Sequence, residues 1–503
     1  MSHDDSASFV PRTRNMKKPL TITYVSHASI LLDGDFGRLI CDPWILNEPI
    51  YTFTTWKFPA AVIPPEELTA GLDYLYLSHP HEDHLHIPSI HRFPRDIEVL
   101  LPEYLSNPGL RAQTVERTLR ELGFHRIRKV RPWQTIKLGG DTSFTLIPGC
   151  ETKWWDWENS GFVLESHDCK LLNMNDCPAD AKLYAEVDRR FGEIDIGFLQ
   201  YSGVSMFPGC YRMPVEEMRA ASARRKVSWI QQRNMIELLR VRCIAPFSGD
   251  FAWLDDRMFH CNWSNRATPK LFEDFVKTNY SEKKIDVVIM YPSDTWTKQE
   301  GLKRNHPEID WTNYLGEIEQ LRQRMKPKVA AIRKWIDDSD VSDLRGRSER
   351  FIAHLNNWIH QGDINFRTRI RFTVEGPNSD FAFVMRCTPE TGFEAVWDDD
   401  APVDQELFIR ESLWAAVLEG KVLMNNIQWA AENRQHVEFR LEIAHFWFWF
   451  ESHIDLNNRN PQALIDRALH PQIAERIRPG HGVFPHEREW ELAAPWRARN
   501  KTL

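Results

Sequence analysis

Leu72-Asp73-Tyr74-Leu75-Tyr76-Leu77 runs directly into Ser78-His79-Pro80-His81-Glu82-Asp83-His84: an apolar, strand-like stretch, then three imidazoles and two carboxylates within positions 79–84. Residues two apart on an extended segment point the same way, so His79 and His81 are placed to grip one ion, while Asp83 and His84 on the next turn face a second. Neutral imidazole is the commonest metal ligand. A histidine-rich polar loop is the bland alternative, but a His-x-His-x-Asp-His spacing rarely arises without a ligand role. We read the run as half of a two-metal site.

Upstream, residues 21–32 and 38–44 are two β-rich runs separated by Asp33-Gly34-Asp35-Phe36-Gly37, the composition of a hairpin turn. Asp42 closes the second run. It reads either as the turn former of an Asp-Pro pair or as a carboxylate that orients a ligand histidine.

The motif spacing and these opening strands resemble the metallo-β-lactamase superfamily. The resemblance implies an α/β fold, the αββα sandwich. Over residues 19–305 strands and helices do interleave: strands at 97–101, 135–138, 144–147 and 241–245, helices near 110–122 and 215–239. It also implies the remaining ligands. Asp176, at the end of Lys170-Leu171-Leu172-Asn173-Met174-Asn175, stands where the superfamily places its bridging carboxylate, which would hold two ions at roughly 3.5–4 Å. After the strand ending Pro148-Gly149 the superfamily's hydrolases carry a histidine. Here none occurs between His125 and His167, so a carboxylate is expected: Glu151 first, with Asp156 and Glu158 behind it. An anionic oxygen in place of nitrogen hardens the site towards iron or manganese.

Residues 198–204, 207–211, 173–176, 245–250 and 253–262 together resemble one branch of the superfamily, the relatives of CMP-N-acetylneuraminate hydroxylase and of the diiron hydroxylases of antibiotic biosynthesis. That branch makes His260 the ligand of the second metal, with Asp250 its competitor. It implies two iron ions and O2 as co-substrate, the alternative being two zinc ions in a hydrolase of phosphodiesters, lactones or amides. A small-molecule substrate is expected against Trp154, Trp155, Trp157 and Tyr201. No Cys-x-His pair of an iron–sulfur domain is visible, so the electrons are expected from a separate reductase.

The chain has 503 residues, which favours two domains. We expect a tail over 1–18, the sandwich over 19–305, a helical linker over 306–349 around a charged helix at 319–336, and a carboxyl-terminal α+β domain over 350–503 faintly similar to sterol-carrier-type domains. A net charge of −8 with scattered basic residues leaves no footprint for nucleic acid. Eight cysteines without a Cys-x-x-Cys pair, no apolar run of spanning length and no signal pattern at the amino terminus point to a cytoplasmic chain outside the membrane. The aromatic run 445–450 reads as core, and the sequence leaves homo-oligomerisation open.

Overall fold

The computed structural model describes residues 17–103, 115–149 and 159–435 apart from residues 117, 178–179, 234–235, 360–363, 365 and 379, and beyond them residues 443, 446–447 and 449–450. Strands that are apolar at nearly every position need cover on both faces, and the amino-terminal part folds to supply it. Ile22, Ile30, Leu32, Leu39, Tyr76 and Leu100 project from an eight-stranded sheet into one core, where they meet Phe144, Leu146, Phe162, Leu171, Phe198 and Phe247 of a seven-stranded sheet. The residues between them, Val25, Leu31, Ile40, Leu75 and Val99, face the other way and pack with Leu68, Leu119 and Leu122. On the second sheet Ile147, Val163, Leu172 and Ile244 turn outward on to the helices Ala181–Phe191 and Pro269–Asn279. Two sheets face to face with helices outside make the expected αββα sandwich.

The strands Gly37–Cys41, Tyr74–Tyr76 and Glu98–Pro102 run parallel in the first sheet. Lys170–Asn173, Ile194–Gln200 and Val241–Phe247 do so in the second. Ligand sites of open α/β sheets lie beyond the carboxyl ends of such strands. Asp42 follows the first of these strands, the histidine motif the second, Asp176 follows Lys170–Asn173, and Ser248 and Asp250 follow Val241–Phe247.

Thr55–Lys57 and Phe251–Trp253 form a separate two-stranded ribbon. The helices Tyr314–Asp337 and Leu344–Leu355 precede a five-stranded sheet built of Thr368–Glu375, Asp380–Thr388, Gly392–Trp397, Gln405–Arg410 and Glu432–Gln435, with the helix Glu411–Leu418 between its last two strands. Ile318, Leu321, Ile332 and Ile336 of the helix read as a linker are core residues: they belong to one apolar cluster with Phe372, Leu407 and Trp414 and with Trp56, Ala252 and Leu254 of the amino-terminal part. Phe446, Trp447, Trp449 and Phe450 of the aromatic run are buried in the same cluster. All seven described cysteines are free thiols. No helix among the described residues is long and apolar enough to cross a membrane.

Candidate metal centre

Asp42 leaves its strand in a left-handed conformation, φ 40°, and its carboxylate meets the histidine motif. Ser78 donates its backbone N–H to Asp42 Oδ1 at 2.7 Å and its hydroxyl to Oδ2 at 2.6 Å. With that proton committed, Ser78 Oγ accepts from His79 Nδ1, 2.9 Å away, so His79 carries a proton on Nδ1 and turns Nε2 towards His81 Nδ1. His84 Nδ1 lies 2.9 Å from the same Asp42 Oδ2, which makes Nε2 the nitrogen His84 can turn to a cation once its proton is displaced. This is the carboxylate–histidine arrangement that fixes tautomer and orientation in metal sites. Of the two readings of Asp42, the geometry supports the orienting one.

Two donor groups stand side by side. The ligand atoms of His79, His81 and Asp176 lie within 4.8 Å of one another, and so do those of His27, Asp83 and His84. His79 Nε2 and His81 Nδ1, in the loop that follows Tyr74–Tyr76, are 2.9 Å apart. His84 Nε2 is 3.3 Å from Asp83 Oδ2 and 3.5 Å from Asp176 Oδ2, buried and without a hydrogen bond. Ser248 donates its hydroxyl to Asp176 Oδ1, while Asp176 Oδ2 faces His84, so this carboxylate touches both groups. Imidazole nitrogens converging with carboxylate oxygens are a donor set that divalent cations satisfy. The residues present fit a pair of metal ions.

Burial disfavours charge on His84, but the carboxylates of Asp83, Asp176 and Asp42 outweigh it and hold its pKa well above the ordinary imidazole value. Burial also works against the charge on Asp83, yet His84 and His27 keep that carboxyl well below its usual range. The same balance, burial against His84, lowers Asp176. Without a cation, then, a proton sits on His84, and metal must displace it. His84 keeps that proton up to its raised pKa. Metal affinity should therefore climb by about tenfold per pH unit from the ordinary imidazole range up to that raised value, and level off above it. Calorimetric titration in buffers of different ionisation enthalpy should return about one proton released per chain at neutral pH. A flat affinity from about pH 6 to 8 would rule out His84 as the competing base.

Other site residues stand differently. His260 belongs to neither group: its Nε2 is 2.7 Å from the carbonyl of Gly209. Asp250, its competitor, accepts the hydroxyls of Tyr24 and Tyr201 on its two oxygens. Tyr201 is fully buried on that carboxylate, with Arg266 Nη2 at 3.5 Å from its hydroxyl, so it offers no face to a substrate. Glu151, Trp154, Trp155, Asp156, Trp157 and Glu158 lie outside the described residues. The side chain that sequence reasoning passed over is His27, fully buried with φ 47° in the turn between Thr21–Ser26 and Ser29–Gly34. The only signal was a histidine at the carboxyl end of a strand. Tyr51, equally unforeseen, donates its hydroxyl to Asp83 Oδ1 at 2.5 Å and stacks at 4.9 Å on Trp429 of the carboxyl-terminal part.

Residues 38–229 match the family described as Beta-lactamase superfamily domain, so the chain carries a domain of that superfamily. Among curated relatives, a putative Rieske 2Fe-2S iron-sulfur protein of Mycolicibacterium smegmatis is 28% identical over 328 residues, covering 62% of this chain and 61% of its own length. The cytidine monophosphate-N-acetylneuraminic acid hydroxylase of Danio rerio is 31% identical over 91 residues, 18% of this chain and 15% of that protein. The chain thus spans less than two thirds of the length of these relatives. Among solved structures, CmlA, a diiron beta-hydroxylase from Streptomyces venezuelae, is 16% identical with a TM-score of 0.37, over 56% of this chain and 54% of that one.

Proposed function

We propose that this chain is a metal-dependent oxygenase that holds two iron ions and hydroxylates, or oxidises at nitrogen, a small biosynthetic intermediate. The observation that carries the metal part is His84 Nε2, buried, without a hydrogen bond and bracketed by Asp83 at 3.3 Å and Asp176 at 3.5 Å. The oxidative part draws support from the sequence relatives, which are named as an iron–sulfur protein and a hydroxylase. When bound, a pair of iron ions would supply electrons and open positions for O2.

The chain's own residues do the rest. Asp42 and Ser78 fix which nitrogens of His79 and His84 point inward. Asp176 is the carboxylate shared between the groups. Burial of His79, Asp83 and His84 keeps bulk water from the reacting centre. A cavity of about 50 Å³ lined by Ile50, Tyr51, Phe53, Glu82 and Leu423 adjoins the motif and reaches the carboxyl-terminal part, a place for an apolar edge of the substrate. Electrons come from a separate reductase on this reading.

A second reading, a dizinc hydrolase, is favoured by the imidazole nitrogens themselves, which suit zinc as readily as iron. One comparison separates the two. Iron-loaded protein, reduced without air and then exposed to O2, should consume oxygen and develop a visible absorption, whereas the zinc form should leave a panel of phosphodiesters and lactones intact. Rapid ester turnover by the zinc form, with no oxygen uptake by the iron form, would replace the oxygenase by the hydrolase.

A further inference from the structure

We infer that His27 is a positioning residue for Asp83 and not a metal ligand, although it stands within ligand distance of Asp83 and His84. The inference rests on the two-metal reading of the site and deepens it.

Proton accounting carries the argument. His27 Nδ1 lies 3.2 Å from the backbone nitrogen of Asp250. A peptide N–H can only donate, so Nδ1 accepts, and the neutral ring carries its proton on Nε2. That Nε2 is 3.0 Å from Asp83 Oδ2 and donates to it. A nitrogen that carries a proton has no lone pair for an ion. His79 and His84 have the opposite tautomer, their Nδ1 protons taken up by Ser78 and Asp42. Coordination through His27 Nε2 would move the proton to Nδ1 and set it against the Asp250 N–H, two donors facing each other on a ring with no accessible surface.

The surroundings lock this arrangement. The Asp250 carboxylate is anchored by Tyr24 and Tyr201, and its carbonyl accepts the N–H of Phe58 at 3.0 Å, so its backbone nitrogen is fixed opposite His27. Trp44 and Phe251 hold the ring by its edges and faces, with centroids at 5.6 and 4.5 Å. Since Tyr51 donates to Oδ1 and His27 to Oδ2, Asp83 has one donor on each oxygen, which fixes the plane of the carboxylate and leaves a lone pair on each oxygen for an ion. Asp250 thus acts on the second ion at two removes, through His27 and then Asp83.

The test is nuclear magnetic resonance of the full chain labelled with ¹⁵N-histidine and loaded with ¹¹³Cd. Ring nitrogens of His79, His81 and His84 should show coupling to cadmium. The His27 signal, identified by its disappearance in His27→Gln, should show a proton on Nε2 and no such coupling. Cadmium coupling at His27 beside the other three overturns the inference alone, whereas absence of coupling at His79, His81 and His84 overturns the two-metal reading. Metal titration gives the second readout. His27→Ala should still take up two ions at saturation with the weaker one bound about 10–100-fold less tightly, and His27→Gln, whose amide can still donate to Asp83, should recover most of that loss. An ion missing at saturation in both variants, with the fold intact by circular dichroism, would make His27 a ligand.

Discussion

Asp176→Ala should leave fewer than about one ion per chain where the parent holds about two. Its Oδ2 faces His84 Nε2 at 3.5 Å while the residue groups with His79 and His81, so both ions lose an anionic donor and the shared charge that offsets their mutual repulsion. The substitution also frees the Ser248 hydroxyl, a smaller effect because Ser248 stands at the end of a strand whose own ladder is unaltered. Asp176→Asn keeps the shape and isolates the charge, and it should lose most of the metal too. Elemental analysis after loading and gel filtration reads both variants. Retention of one tightly held ion by Asp176→Ala would show that the groups bind independently.

Trp414→Ala should cost about 3–5 kcal/mol of stability, a large part of what a folded chain typically has. The indole is fully buried, packs against Phe372 at 5.5 Å and Phe383 at 5.9 Å, and donates Nε1–H to Ser348 Oγ at 2.8 Å. Removing it opens a cavity between the helix Leu344–Leu355 and the five-stranded sheet and takes away the bond Ser348 Oγ accepts, while its hydroxyl still donates to Leu344 O. Because the same apolar cluster runs on to Trp56 and Ala252 beside the sandwich, the loss should appear in one cooperative transition in denaturant titrations. Two separated transitions, with only one of them moved, would mean that the two parts fold independently.

What could be read ahead of the structure was local. His79 and His81 show in their residue type and spacing just after a strand, and Asp42 needs only its place at a strand end. Alternation of inward and outward residues was legible for the same reason, and it could have corrected Tyr201: it lies two positions from Leu199 and packs with it on the outward face. The role of His27 was not legible, because its partner is the backbone of Asp250, 223 positions away, and a backbone N–H leaves no mark in composition. His260 illustrates the converse. Its family position suggested a ligand, and the fold sets its Nε2 against the carbonyl of Gly209, 51 positions away, outside both donor groups. The helix read as a linker over 319–336 was placed correctly in kind, yet its charge concealed the stripe of Ile318, Leu321, Ile332 and Ile336 that makes it core.

The hub formed by Asp42 and Ser78 has a consequence for kinetics. One carboxylate and one hydroxyl settle the tautomers of two histidines before any ion arrives. An incoming ion therefore has no ring flips or tautomer exchange to wait for at His79 and His84, and only the proton on His84 has to leave. Capture should be limited by shedding of the ion's own water shell rather than by the protein, so that ions with labile hydration reach the site first and slower-exchanging ones prevail only by staying longer.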